Sequence, residues 1–196
     1  MSCLFNELLL FDIDRPAPDI KTILLSTIFI VLITNISYRF IMDKVPSEQM
    51  IETLDKDKNK EYKAIQTKGI HVWEVALYEL LNGTLYAPIA EELFFRFFLF
   101  KSLFVKKLNM NPVIANVLQA IIFGSLHMSN SIYSSQETSN SIIQSISSAI
   151  IGLVCGYVYY TTNSIIPAIL AHTLNNLRSS LYTINEYKNF IKFGNI

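Results

Sequence analysis

The sequence predicts an all-α fold, a multi-span membrane helical bundle of about six transmembrane helices. Hydrophobic residues make up 51% of the 196 residues and charged residues 16%, and the charges are strongly segregated. Between Asn109 and Leu177, Glu137 is the single Asp, Glu, Lys or Arg. A soluble domain needs charged residues on the surface of each element, so this stretch belongs in lipid. The balance of 16 basic and 16 acidic residues argues against a nucleic-acid partner.

The N-terminal region, residues 1–68, is predicted to hold one membrane span and a charged loop. A bilayer core about 30 Å thick needs roughly 20 apolar residues of helix. The uncharged stretch 22–38 is the first segment that approaches this length. Residues 43–68 carry 12 of the chain's 32 charges, which is typical of a solvated loop or a surface helix.

Residues 69–178 are predicted to form the core of the molecule, and residues 179–196 a C-terminal tail. The apolar stretch 70–105 is too long for one straight span, and Pro88 marks a break or a kink in it. Three further apolar stretches of helix length follow, at residues 112–128, 141–160 and 165–177. The protein is therefore expected to be an integral multi-pass membrane protein with membrane lipid around it.

Short polar connections and small residues predict how these helices pack. The turn at residues 106–109 makes the helices on either side of it an antiparallel hairpin. Gly152 and Gly156 lie four residues apart, a spacing that lets membrane helices approach closely. We therefore expect these glycines to form a packing face.

Ionisable residues inside apolar helices cost about 2.5 to 3.5 kcal/mol each on insertion scales and mark functional sites by default. Five stand out in this chain: Glu91, Glu92, Arg96, His127 and His172. Glu92 and Arg96 lie four apart with the acid first, which favours an ion pair on one helix face. Glu91 points about 100° away from Glu92, so its carboxylate needs a partner from another helix.

The predicted hairpin supplies a partner for Glu91. Glu91 lies 17 residues before Leu108 and His127 lies 18 residues after Asn109, so the two side chains are expected at a similar depth. Phe123 precedes His127 by four residues and shares its helix face, where the ring can wall the site.

A second polar pair follows in the last apolar stretch. His172 and Asn176 are four residues apart and offer an imidazole and a carboxamide on one face. Such a pair is also a common interhelical hydrogen-bonding element in membranes.

Three motifs therefore follow one another on separate predicted helices: Glu91-Glu92-x-x-x-Arg96, Phe123-x-x-x-His127 and His172-x-x-x-Asn176. In this order they resemble the motifs of the CPBP family of intramembrane proteases. That family includes the type II CAAX prenyl endopeptidases and the Abi-like bacteriocin-processing and immunity proteins. The resemblance covers roughly residues 87–176.

The resemblance implies a multi-span helical fold and an endopeptidase that cleaves a peptide or lipidated protein, either of the prenylated CAAX type or an unprenylated leader peptide. Glu91 would be the general base for the attacking water, and His127 would help to hold that water. His172 and Asn176 would donate hydrogen bonds to the oxyanion. Three further motif residues would support these four: Glu92, Arg96 and Phe123.

Alternatives stay open at the level of sequence. Glu91, His127 and His172 also make an open zinc site with two imidazoles and one carboxylate, so a divalent metal such as zinc is a possible cofactor. A catalytically idle scaffold or immunity-type protein of the same fold is a second hypothesis. A proton or solute pathway is a third, although its ionisable groups should follow a whole path and here they gather at one level.

Overall fold

Six helices account for most of the residues described by the computed structural model, which are residues 8–42, 47–129 and 138–194. Within these ranges there is no β-strand, only an isolated bridge between Leu10 and Ser164. The helices are α1 (Ile20–Met42), α2 (Ser47–Thr67), α3 (the consecutive segments Val72–Tyr78, Glu79–Tyr86, Ala87–Glu92 and Leu93–Lys107), α4 (Pro112–His127), α5 (Thr138–Thr162) and α6 (Ile166–Phe193). The predicted all-α bundle is confirmed.

Helix α3 is continuous where the sequence indicated a break or a kink at Pro88. Its second and fourth segments, Glu79–Tyr86 and Leu93–Lys107, have π-helical winding. The backbone at Ala87, where π winding gives way to α winding, keeps right-handed helical angles (φ −61°, ψ −50°). Proline lacks the N–H that a helix ladder needs, and the change of winding directly before Pro88 accommodates it without ending the helix.

Two of the helices in the described residues are long and apolar enough to cross a membrane, at Ile20–Ile41 and Asn140–Thr162. The apolar helix α4 is shorter. The charged region before residue 68 contains the helix α2, which fits the surface-helix reading of that region. Helix α6 continues past residue 178 to Phe193, so the predicted tail extends the last helix. Six membrane crossings stay a prediction.

Helices α4 and α5 pack closely through glycines. A Cβ atom on Gly124 would lie 2.5 Å from the carbonyl oxygen of Ser145. One on Gly156 would lie 1.9 Å from Asn116 Oδ1, and one on Gly152 would lie 3.1 Å from Ala120. The packing face expected from Gly152 and Gly156 is therefore present, and it fixes α4 beside α5.

The N-terminal segment before α1 docks on the bundle at the junction of α5 and α6. Phe11 is buried in an apolar cluster there. Asn163, in the left-handed region (φ 63°), accepts a hydrogen bond from the Asp12 amide at 2.6 Å and donates one to the Asp12 carbonyl at 2.9 Å. The buried Lys101 donates to the Leu10 carbonyl at 2.6 Å. These contacts close one end of the bundle.

The charged helix α2 packs against the C-terminal half of α6. Tyr62 is buried with Tyr187 and Phe190, and Lys58 forms an ion pair with Glu186. Helix α2 therefore lies across the end of the bundle where α3 begins, since Val75 of α3 belongs to the same cluster.

Candidate active site

Four helices contribute to a cavity of about 330 Å³, and all four residues predicted to be catalytic line it. They are Glu91 from α3, His127 from α4, and His172 and Asn176 from α6. Phe123 of α4 also lines the cavity, while α5 contributes Gln144 and Ser148. Residues distant in the sequence thus meet in one chamber.

A second cavity of similar volume adjoins the first, because Glu91, Phe123, His127 and Gln144 line both. Its remaining wall is apolar and consists of Phe95 and Leu126. The Glu91 carboxylate and the His127 imidazole therefore lie between the two cavities.

Glu92 and Arg96 form the ion pair that their spacing predicts. Arg96 Nε lies 2.9 Å from Glu92 Oε2, and both side chains are completely buried. The Arg96 guanidinium also lies over the Phe123 ring, 4.7 Å from its centroid, which is a cation–π contact. This geometry neutralises two buried charges next to the cavity.

Glu92 also orients His172. Its Oε1 lies 2.9 Å from His172 Nδ1, and a carboxylate can only accept, so Nδ1–H donates this hydrogen bond. The other ring nitrogen, Nε2, lies 3.8 Å from Glu91 Oε2. Glu91 is 35% exposed, against complete burial of Glu92, so the neighbouring carboxylates have different surroundings and different partners.

His127 and Glu91 face the same two cavities, as the hairpin register predicted. The Nδ1 atom of His127 lies 3.0 Å from the carbonyl oxygen of Phe123 on its own helix. A carbonyl oxygen accepts, so Nδ1 carries the hydrogen of that bond, and in a neutral imidazole Nε2 is then the acceptor. The Phe123 ring stands edge-on to the imidazole, with ring centroids 5.1 Å apart.

Asn176 connects α6 to α3. Its Nδ2 donates to the carbonyl oxygen of Gly83 at 2.8 Å, which fixes the amide one helical turn from His172. A carboxamide nitrogen carries two hydrogens, so one N–H remains for a ligand in the cavity.

Several cavity residues were not singled out from the sequence. They are Glu79, Gly83, Gln144, Ser148, Ile151, Asn175, Ser179 and Ser180. Glu79 carried a usable signal, since it is an ionisable residue in an apolar stretch. Gln144 and Ser148, four residues apart in an apolar helix, carried a weaker one.

The zinc arrangement does not fit the donor groups as they are placed. Across residues 8–42, 47–129 and 138–194, no group of three or more His, Cys, Asp or Glu side chains is positioned to hold a metal ion. Glu91, His127 and His172 line one cavity, but they do not form such a group. No step below passes through a metal.

The fold and the cavity define an all-α bundle with a polar, carboxylate-bearing chamber inside it. The chain belongs to the Rce1-like family of type II CAAX prenyl endopeptidases, whose family model matches residues 73–178, more than half of the chain. The family resemblance of the three motifs is thereby confirmed. No curated protein and no solved structure matches the chain. Family membership makes it a membrane-embedded protein and implies a protease of the CAAX type.

Proposed function

We propose that this chain is a multi-pass intramembrane endopeptidase in which Glu91 activates the water that attacks the peptide bond. One observation carries the proposal: Glu91, His127, His172 and Asn176 line a single cavity, although they come from three helices. The carboxylate supplies a base, and the imidazoles and the amide supply hydrogen-bond donors. The family match adds the reaction class.

In this mechanism a water molecule lies between Glu91 and His127. Glu91 removes one proton while the water oxygen attacks the carbonyl carbon, and the other O–H of the water stays intact and donates a hydrogen bond to His127 Nε2. The C–N bond then breaks, and the proton held by Glu91 passes to the leaving nitrogen. A positioned base of this kind contributes about 10²- to 10⁴-fold to the rate.

His172 and Asn176 are proposed to stabilise the oxyanion. In this proposal His172 acts as an imidazolium, with Nδ1–H bonded to Glu92 and Nε2–H donating to the oxyanion. Arg96 balances the Glu92 charge behind it. Each oxyanion donor is worth about 2.7 to 4 kcal/mol in comparable enzymes.

The proposed substrate is a lipidated C-terminal peptide of the CAAX type, the class that the family description names. The second cavity beside Glu91 has one apolar side, formed by Phe95, Phe123 and Leu126, which offers room for an apolar group next to the scissile bond. The proposed catalytic core is residues 69–178, with residues 1–68 and 179–196 flanking it.

Glu91→Gln is expected to lower turnover of a CAAX-type peptide by at least about 10²-fold, because the amide cannot accept the proton. The measurement is peptide cleavage by the full chain in lipid nanodiscs, together with thermal unfolding. Glu74→Gln is the matched control on the same helix, because Glu74 lies outside the cavity and its capping bond to the His71 amide can be kept by a glutamine oxygen. Undiminished cleavage by Glu91→Gln contradicts the assigned base.

Exhaustive metal removal is expected to leave cleavage unchanged, because the donor groups do not converge on a metal position. The measurement is the same cleavage assay after dialysis against a chelator, with and without added zinc. Activity that disappears on dialysis and returns with zinc contradicts water activation by Glu91 alone.

A further inference from the structure

The cavity contains a second carboxylate that the proposed mechanism does not use. Glu79 of α3 lines the same chamber as Glu91, three helical turns earlier along the chain. Its Oε2 accepts a hydrogen bond from Ser180 Oγ at 3.0 Å. Ser180 is buried and in turn accepts one from Thr84 Oγ1 at 3.1 Å. The Ser180 hydroxyl, itself bonded by Thr84, therefore orients this carboxylate at the cavity wall.

Gly83 makes room for Glu79. A Cβ atom at position 83 would lie 3.1 Å from Glu79 Oε2 and 3.3 Å from Ser180 Oγ, tighter than ordinary contact. The carbonyl oxygen of the same glycine accepts the bond from Asn176. Gly83 therefore leaves space for the Glu79 carboxylate and also holds the amide of Asn176, the proposed oxyanion donor.

Within residues 8–42, 47–129 and 138–194, Glu79 forms no ion pair. Nearby charged groups have other partners: Lys58 pairs with Glu186, Arg96 with Glu92, and His172 with Glu91 and Glu92. A half-buried carboxylate without a counter-charge is costly within a membrane protein, and a bound cation offsets that cost.

Further acidic residues lie near Glu79. On α2, crowding by neighbouring protein and the carboxylate of Glu79 both raise the pKa of Glu61, against the opposing effect of Lys58. Lys58 forms an ion pair with Glu186. This end of the cavity therefore attracts positive charge.

Resting on the proposed function, we propose that Glu79 is a specificity-determining residue that binds the side chain of a Lys or Arg in the peptide substrate. Twelve residues of helix separate Glu79 from Glu91, at most ~18 Å at 1.5 Å per residue. An extended peptide covers that distance in about five residues at ~3.3 Å each. The basic residue therefore lies within about five positions of the scissile bond.

The test compares peptides that carry one Lys, moved stepwise along a neutral sequence, with peptides that carry norleucine at the same position. The full chain in nanodiscs is expected to cleave the peptide with the best-placed Lys about tenfold more efficiently, in kcat/KM, than its norleucine partner. Glu79→Gln should bring this ratio to about one, and Glu79→Lys should invert it in favour of a Glu peptide. Asp14→Asn, which removes an exposed carboxylate from the N-terminal segment, is the control and should keep the ratio.

A second measurement keeps the inference testable if a Glu79 variant loses activity. Binding of fluorescent Lys and norleucine peptides is measured on Glu91→Gln, with and without Glu79→Gln. Tighter binding of the Lys peptide that depends on Glu79 supports the inference, even if no peptide is cleaved and the protease function fails. Equal cleavage and equal binding of the two peptides overturns it and leaves the protease function standing.

Discussion

At the scale of single residues, the protein separates two adjacent carboxylates by giving them different partners. Glu92 is enclosed by Arg96 and His172, whereas Glu91 opens into the cavity. A base has to reach the substrate, and a residue that orients a histidine has to stay in place. The position of each side chain on its helix face decides which of these roles it is able to fill.

The buried Glu92–Arg96 pair should behave as a unit. Arg96→Met is expected to destabilise the protein by about 3 to 5 kcal/mol, because it leaves the buried Glu92 carboxylate without its cation. The double variant Glu92→Gln with Arg96→Met should lose less stability than Arg96→Met alone. The measurement is reversible chemical unfolding in mixed micelles, and purely additive losses would show that the two charges do not interact.

At the scale of elements, the winding of α3 decides which residues share the cavity. On a regular α-helix, 12 residues turn through about 1,200°, which would leave Glu79 and Glu91 roughly 120° apart. The π-helical segment Glu79–Tyr86 turns less per residue, because its hydrogen bonds span five residues, and both carboxylates reach one chamber. Regular helix geometry therefore could not predict the place of Glu79.

The contact between α4 and α5 predicts unequal effects for two glycines. Gly124→Ala is expected to lower stability by about 1 to 3 kcal/mol, because its new Cβ would lie 2.5 Å from backbone oxygen, which cannot move aside easily. Gly152→Ala, with a nearest atom at 3.1 Å, should cost clearly less and is the matched control. Thermal unfolding in detergent compares them, and equal melting temperatures would contradict this account of the packing.

At the scale of the whole molecule, the charge pattern predicted the fold because lipid excludes charge from long helices. Residues four apart, such as His172 and Asn176, were predicted to share a face, and both line the cavity. That Gln144 and Ser148 of α5 line the cavity could not be predicted in the same way, since it depends on how α5 is rotated about its axis. That rotation is set by the glycine contacts with α4, which are a property of two helices together.

The docking of the N-terminal segment has a consequence for the order of assembly. Asp12 and Asn163 are 151 positions apart, so the ribosome must produce most of the chain before they can meet. Helix α1 is therefore made well before this contact can form. The segment that precedes it docks only after Asn163 has been synthesised, and a bulky fusion ahead of this segment should slow that docking.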